Sequence, residues 1–182
     1  LGTAQTLAWG SSYYLPAILA DPIARDLGIS SNWFFAAFSA SLVISGLLGP
    51  RVGRQIDRVG GRQVLCISNL VLAGGLVLLA VSGSVGMMLA AWLLLGVGMG
   101  LGLYDAAFGT LGRIYGKDAR SAITGITLIA GFASTVAWPL SSLGLETVGW
   151  RETCHAWALA HILLGLPLNL LLPRAEPAPA AA

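Results

Sequence analysis

Apolar and polar positions fall along this chain in long blocks, and six blocks of predominantly apolar residues stand out, at 3–24, 33–52, 63–82, 86–111, 122–145 and 152–172. A helix needs about 20 such residues to cross the hydrocarbon core of a bilayer. The polar connections between blocks are short, which forces neighbouring helices to run antiparallel. The pattern predicts an all-α membrane protein of six transmembrane helices. The bundle occupies 1–172, and the Pro/Ala-rich stretch 173–182 reads as the start of a linker.

Composition sharpens this reading. Of 182 residues, 56% are hydrophobic and only 10% charged, against about 25% charged in an ordinary soluble domain. The lipid bilayer is the expected partner and nucleic acid is not. The net charge of +2 matters less than its placement. Arg51, Arg54, Arg58, Arg62, Arg113, Lys117, Arg120 and Arg174 fall at one end of the bundle, and only Arg25 and Arg151 at the other. Positive residues favour the cytoplasm, so the 2–3 loop and the C-terminal tail are expected there. A prevalence of arginine over the single Lys117, with abundant Ala and Gly, points to a bacterial inner membrane. Cys66 and Cys154 fall at opposite ends of the bundle, too far apart for a disulfide, and neither has metal-ligand spacing. No metal or cofactor is expected.

The chemical outlier is Gly53-Arg54-Gln55-Ile56-Asp57-Arg58-Val59-Gly60-Gly61-Arg62, a charged stretch between two apolar runs. Its glycines permit tight bends and close helix approach, and its arginines suit a water–lipid boundary. Asp57 needs a partner, either a helix N-terminus or an arginine. The stretch resembles the signature loop between helices two and three of the major facilitator superfamily, roughly Gly-x-x-x-Asp-Arg-x-Gly-basic-basic. Gly53, Asp57, Arg58, Gly60 and Arg62 match, and Gly61 replaces the first closing basic residue. The resemblance implies a secondary transporter that moves a small solute by alternating access, without enzymatic activity. It further implies that this chain is the N-terminal half of a twelve-span protein, the C-terminal six-helix half being missing. In such a protein the matched loop contributes to gating. A half-size homodimeric transporter or a non-transporting receptor or scaffold are the alternatives. An intramembrane serine protease would need a serine on span four within reach of His161, and residues 86–111 contain none.

Pro50, Asp57, Val59, Gly60 and Arg62 recur 89 residues later as Pro139, Glu146, Val148, Gly149 and Arg151. The charge count places the two copies on opposite sides, which predicts two inverted three-helix repeats, roughly 1–82 and 86–172.

Candidate chemistry is sparse. Gly96, Gly98, Gly100 and Gly102 form two small-residue pairs on adjacent faces of span four, suited to close helix packing. Many members of the superfamily carry an arginine where Trp92 stands, and its drug–proton antiporters have Gly-Pro where this chain has Trp138-Pro139. These departures lean away from drug export and toward uptake or exchange of a small polar or anionic solute. Asp105 is the acidic residue well inside a span, where a lone charge costs about 2.5–3.5 kcal/mol. It reads either as a substrate, proton or gating site or as a structural partner of Arg58 or Arg113, with Tyr104 on a different face. Gln5, Trp9 and Ser12, with Tyr13 adjacent, make a polar and aromatic stripe on span one. The resemblance implies that spans one and four line the central cavity, so the stripe reads as substrate contacts or as interhelical packing. Thr127, Ser134 and Trp138 make a similar face on span five. His161 reads as a protonation switch or as an interhelical hydrogen bond, and Asn69 as the latter.

Overall fold

In lipid no water is at hand to satisfy the backbone, so an apolar stretch must form its own hydrogen bonds as a helix. The computed structural model describes residues 1–173, and these are helical with short breaks. The expected linker lies outside the described residues apart from Pro173, as does Arg174. The chain makes six passes. The first is α1 (Gly2–Ser11) and α2 (Pro16–Asp26), the second α3 (Ser31–Val59), and the third α4 (Gly61–Ala80). The fourth is α5 (Val85–Gly102) and α6 (Tyr104–Tyr115), followed by a 3₁₀ turn at Gly116–Asp118. The fifth is α7 (Ala119–Ala130) and α8 (Ala133–Thr147). The sixth is α9 (Trp150–Ala160), a π-helical turn at His161–Gly165, and α10 (Leu166–Leu170). Four helical stretches are long and apolar enough to cross a membrane, namely Ser31–Val59, Gly61–Ala80, Val85–Thr147 and Trp150–Leu170. The third of these, 63 residues long, would extend about 95 Å if straight; instead it folds back at Gly116, whose φ is +54°. The first pass escapes that count because its two helices are each too short alone.

Two boundaries differ from expectation. Span two does not end at residue 52. Helix α3 continues for two further turns to Val59, so most of the signature stretch is helical and the turn proper is Gly60, at φ +88°. Spans one, four and five are each two helices rather than one. In span one the ring of Pro16 removes an N–H at the restart, and the Tyr14 N–H reaches back five residues to the Trp9 carbonyl, 3.0 Å away. In span four the break is Leu103, whose extended backbone (φ −81°, ψ −165°) follows a glycine-rich run with little helical preference.

Helix α5 lies between α3 and α4 and explains the glycine pairs. A Cβ on Gly96 would sit 2.5 Å from the Ser41 carbonyl oxygen, and one on Gly100 would be 3.1 Å from that of Ser45, both on α3. On the adjacent face a Cβ at Gly98 would meet Leu72 of α4 at 2.7 Å, and the Ser68 hydroxyl donates to the Gly98 carbonyl across 2.9 Å. Trp92 is fully buried against the edges of Phe34 and Phe38, with ring centroids 5.3 and 5.2 Å away. Bulk therefore fills the place where the resemblance implied an arginine. Outside this core, α1 packs on α7 and α8, and α4 packs on α9 and α10.

The 89-residue repeat is visible in the backbone. Gly60 and Gly149 adopt nearly the same conformation, φ +88° and +87°, each ending one helix and starting the next. At Gly149 the following Arg151 donates to Asp26 across 2.7 Å and to the Ser82 carbonyl across 3.1 Å. Its guanidinium lies 4.2 Å from the centre of the Trp150 ring. One side chain thus joins the ends of passes one, three and six.

Candidate functional site

The break at Leu103 builds the site. Ending α5 deprives its last carbonyls of their helical donors, and the buried Gln5 side chain supplies one, its amide donating to the Gly102 carbonyl across 2.6 Å. Restarting the helix at Tyr104 puts Asp105 in the first turn of α6. There the carboxylate meets the positive end of the helix dipole, worth about 0.3–1 kcal/mol, which offsets part of the cost of a charge at this depth. Asp105 is exposed to a cleft of about 290 Å³ whose walls include Trp9, Tyr13, Ser45, Met99 and Tyr104. Among the described residues no lysine or arginine lines this cleft.

Aromatic rings dominate its wall. Trp9 lies 5.1 Å from Tyr13, edge to face, and 4.8 Å from Tyr104. Tyr104 is stacked on Phe108 at 5.0 Å with the planes 11° apart. Trp138 of span five does not line the cleft; its indole N–H donates to the Tyr14 carbonyl at 3.3 Å, and its ring meets that of Tyr14 edge to face at 6.1 Å. Tyr104 was expected on a different face from Asp105. Both nevertheless line the one cleft, at the first two positions of α6 after the break.

The remaining sequence candidates do not gather here. Gln5 stands behind the break as a brace, and its Oε1 finds no donor among the described residues. Ser12 is fully buried and donates to the Ala8 carbonyl at 2.6 Å. Thr127 donates to its own helix at the Ile123 carbonyl, 2.8 Å away, and neither Thr127 nor Ser134 lines the cleft. His161 is fully buried, its Nδ1 2.9 Å from Asn69 Oδ1 and its Nε2 2.7 Å from the Ser11 hydroxyl. Asn69 Oδ1 only accepts, so Nδ1 carries the proton in the neutral ring; the Ser11 hydroxyl beside Nε2 also reaches the Leu7 carbonyl at 2.8 Å. His161 therefore ties passes one, three and six and does not face the cleft. The π-helical turn lets Gly165 press against Asn69, so that the histidine and the asparagine meet.

At the arginine-rich end, the partner of Asp57 comes from a residue whose role the sequence left open. Arg113, at the end of α6, donates to the carbonyls of Ile56, 3.2 Å away, and of Asp57, and lies 4.0 Å from the Asp57 carboxylate. It thereby caps the last turn of α3, where four carbonyls lack helical donors. Neither Arg113 nor Arg58 forms an ion pair with Asp105 among the described residues. Among the described residues Arg58 and Arg62 form no ion pair with Asp57, whose side chain stays 77% exposed. Gly61 is buried against Thr110 of α6, and a Cβ there would overlap the threonine hydroxyl. This close contact explains why no basic side chain stands at that position.

Helical passes interrupted beside a cleft, and Gly turns of like conformation at Gly60 and Gly149, fit the build of a membrane transporter. The chain belongs to the Major Facilitator Superfamily, a family of membrane transporters, whose family model matches residues 1–182. Among curated relatives, a 38 kDa protein encoded in a 23S RNA operon of Thermoproteus tenax is 29% identical over 157 residues, covering 85% of this chain and 40% of that protein. A purine ribonucleoside efflux pump of Escherichia coli is 25% identical over 150 residues, covering 82% of this chain and 38% of the pump. The purine ribonucleoside efflux pump of Shigella sonnei is 24% identical over the same length. The chain thus spans about two fifths of the length of these relatives.

Proposed function

We propose that this chain forms the first six-helix half of a twelve-span transporter that moves purine ribonucleosides across a bacterial inner membrane by alternating access. The cleft beside Asp105 is its share of the solute path. The observation that carries this reading is the break at Leu103, which sets a carboxylate among aromatic rings where a flat, hydrogen-bonding solute can stack. The names of the pumps in Escherichia coli and Shigella supply the solute class. A small anion fits less well, since no cation lines the cleft. The carboxylate of Asp105 also gives proton coupling a site.

Positive residues set the arginine-rich end toward the cytoplasm. There Asp57, exposed at the end of α3, is placed to meet the positive N-terminal end of a helix in the second half, while Arg113 holds the helix end from behind. Gly53, with nothing within 4 Å of its Cβ position, leaves room for that half to approach, and Gly60 sets the turn that delivers Arg62. Arg58 flanks the carboxylate. A charge at a helix N-terminus is worth about 0.3–1 kcal/mol when exposed and up to about 2 when partly buried. That shifts an inward–outward equilibrium by up to roughly thirtyfold. In the full-length parent, Asp57→Asn should lower purine nucleoside transport strongly while leaving membrane insertion and substrate affinity from the outer side nearly intact. Normal transport by the variant, measured in proteoliposomes, would refute the gating role.

A further inference from the structure

We propose that Asp105 makes the cleft selective for 6-oxopurine nucleosides, with guanosine bound in preference to adenosine; this rests on the purine-nucleoside reading above. A carboxylate offers acceptors only, and no cation lines the cleft to occupy it. What complements two carboxylate oxygens is a pair of adjacent N–H donors in one plane. Guanine presents such a pair at N1 and N2, and hypoxanthine presents the N1–H alone. Adenine sets the lone pair of N1 beside its amino group, so one carboxylate oxygen would face another acceptor. Trp9, Tyr13 and Tyr104 line the same cleft as the carboxylate and offer ring surface against which a base can lie. Trp9 and Tyr104 lie 4.8 Å apart, and Phe108 stacks behind Tyr104 at 5.0 Å, so the tyrosine cannot turn freely. Stacking binds any purine, because each has a π face; the carboxylate then decides among them. The position of Asp105 at the start of α6, on the cleft and outside any ion pair among the described residues, leaves both oxygens available.

The test is competition against labelled guanosine on the purified full-length parent, with unlabelled guanosine, inosine, adenosine and 1-methylguanosine. Guanosine should compete at least about tenfold better than adenosine, inosine should fall between, and 1-methylguanosine should lose most of the advantage because its N1 donor is gone. Asp105→Asn places a donor beside an acceptor, the pattern that pairs with adenine, and should move the guanosine-to-adenosine ratio toward adenosine by about tenfold or more. Equal competition by guanosine and 1-methylguanosine in the wild-type protein would overturn the assignment without relying on a variant. An unchanged ratio in a folded Asp105→Asn protein would do the same while leaving the purine reading in place. Absence of binding by every nucleoside would instead overturn the purine reading beneath it.

Discussion

Arg113 carries more of this structure than its place in a loop-end sequence suggests. Its side chain is 11% exposed; it supplies a donor to the Asp57 carbonyl at the end of α3 and shares the Ile56 carbonyl with the Gly60 N–H. A hydrogen bond to a charged group contributes about 1.5–3 kcal/mol, so Arg113→Ala should lower the thermal midpoint of the detergent-solubilised protein by a corresponding amount. Arg113→Lys should recover part of it, since the charge remains but the planar fork is lost. An unchanged midpoint in the alanine variant would show that water caps α3 equally well. The arginine was legible as a charge on the positive side and no further. Its target is a pair of backbone atoms 56 and 57 residues away in sequence, and backbone acceptors leave no trace in side-chain spacing.

At the scale of the helix, the glycine pairs of span four were legible because small residues four apart mark one face. Which helices they met was not, and the structure gives Gly96 and Gly100 to α3 and Gly98 to α4. Gly96→Ala tests this contact. Its Cβ would lie 2.5 Å from a backbone oxygen of Ser41, which no rotamer change relieves, so overpacking should cost about 1–3 kcal/mol despite the better helix propensity of alanine. A thermal midpoint equal to the wild type would mean that α3 and α5 slide apart at no cost. The breaks at residues 12–15, 103 and 131–132 were not legible. An apolar run reads the same whether its helix is continuous or interrupted, and at Leu103 the interruption survives because Gln5, from another pass, satisfies a freed carbonyl.

Across the whole molecule, Arg113 at one end and Arg151 at the other each hold the end of a first-repeat helix from the second repeat. The Arg151–Asp26 pair is about 40% exposed on both sides, and such pairs contribute about 0.2–1 kcal/mol. Asp26→Asn should therefore cost less than about 1 kcal/mol and do so mainly at low salt. Arg151→Ala should cost more, since it also uncovers the Ser82 carbonyl and the Trp150 ring. Thermal midpoints of both variants at two salt concentrations decide this, and equal losses would place the whole effect in the ion pair. The sequence by itself determined the helical membrane character and the family, because lipid imposes helices on apolar runs and a Gly turn with flanking charge carries a readable local pattern. Only the tertiary structure decided the site. Tyr104 and Asp105 face the cleft at the start of α6, after a break within the fourth pass, and His161 and Ser12 leave the cleft because their partners lie inside the bundle. Trp9 becomes a wall rather than a packing residue through its contact with a ring 95 positions away. Local periodicity tells which face a residue takes on an unbroken helix, whereas the breaks and their partners arise from contacts between passes that share no neighbourhood in sequence.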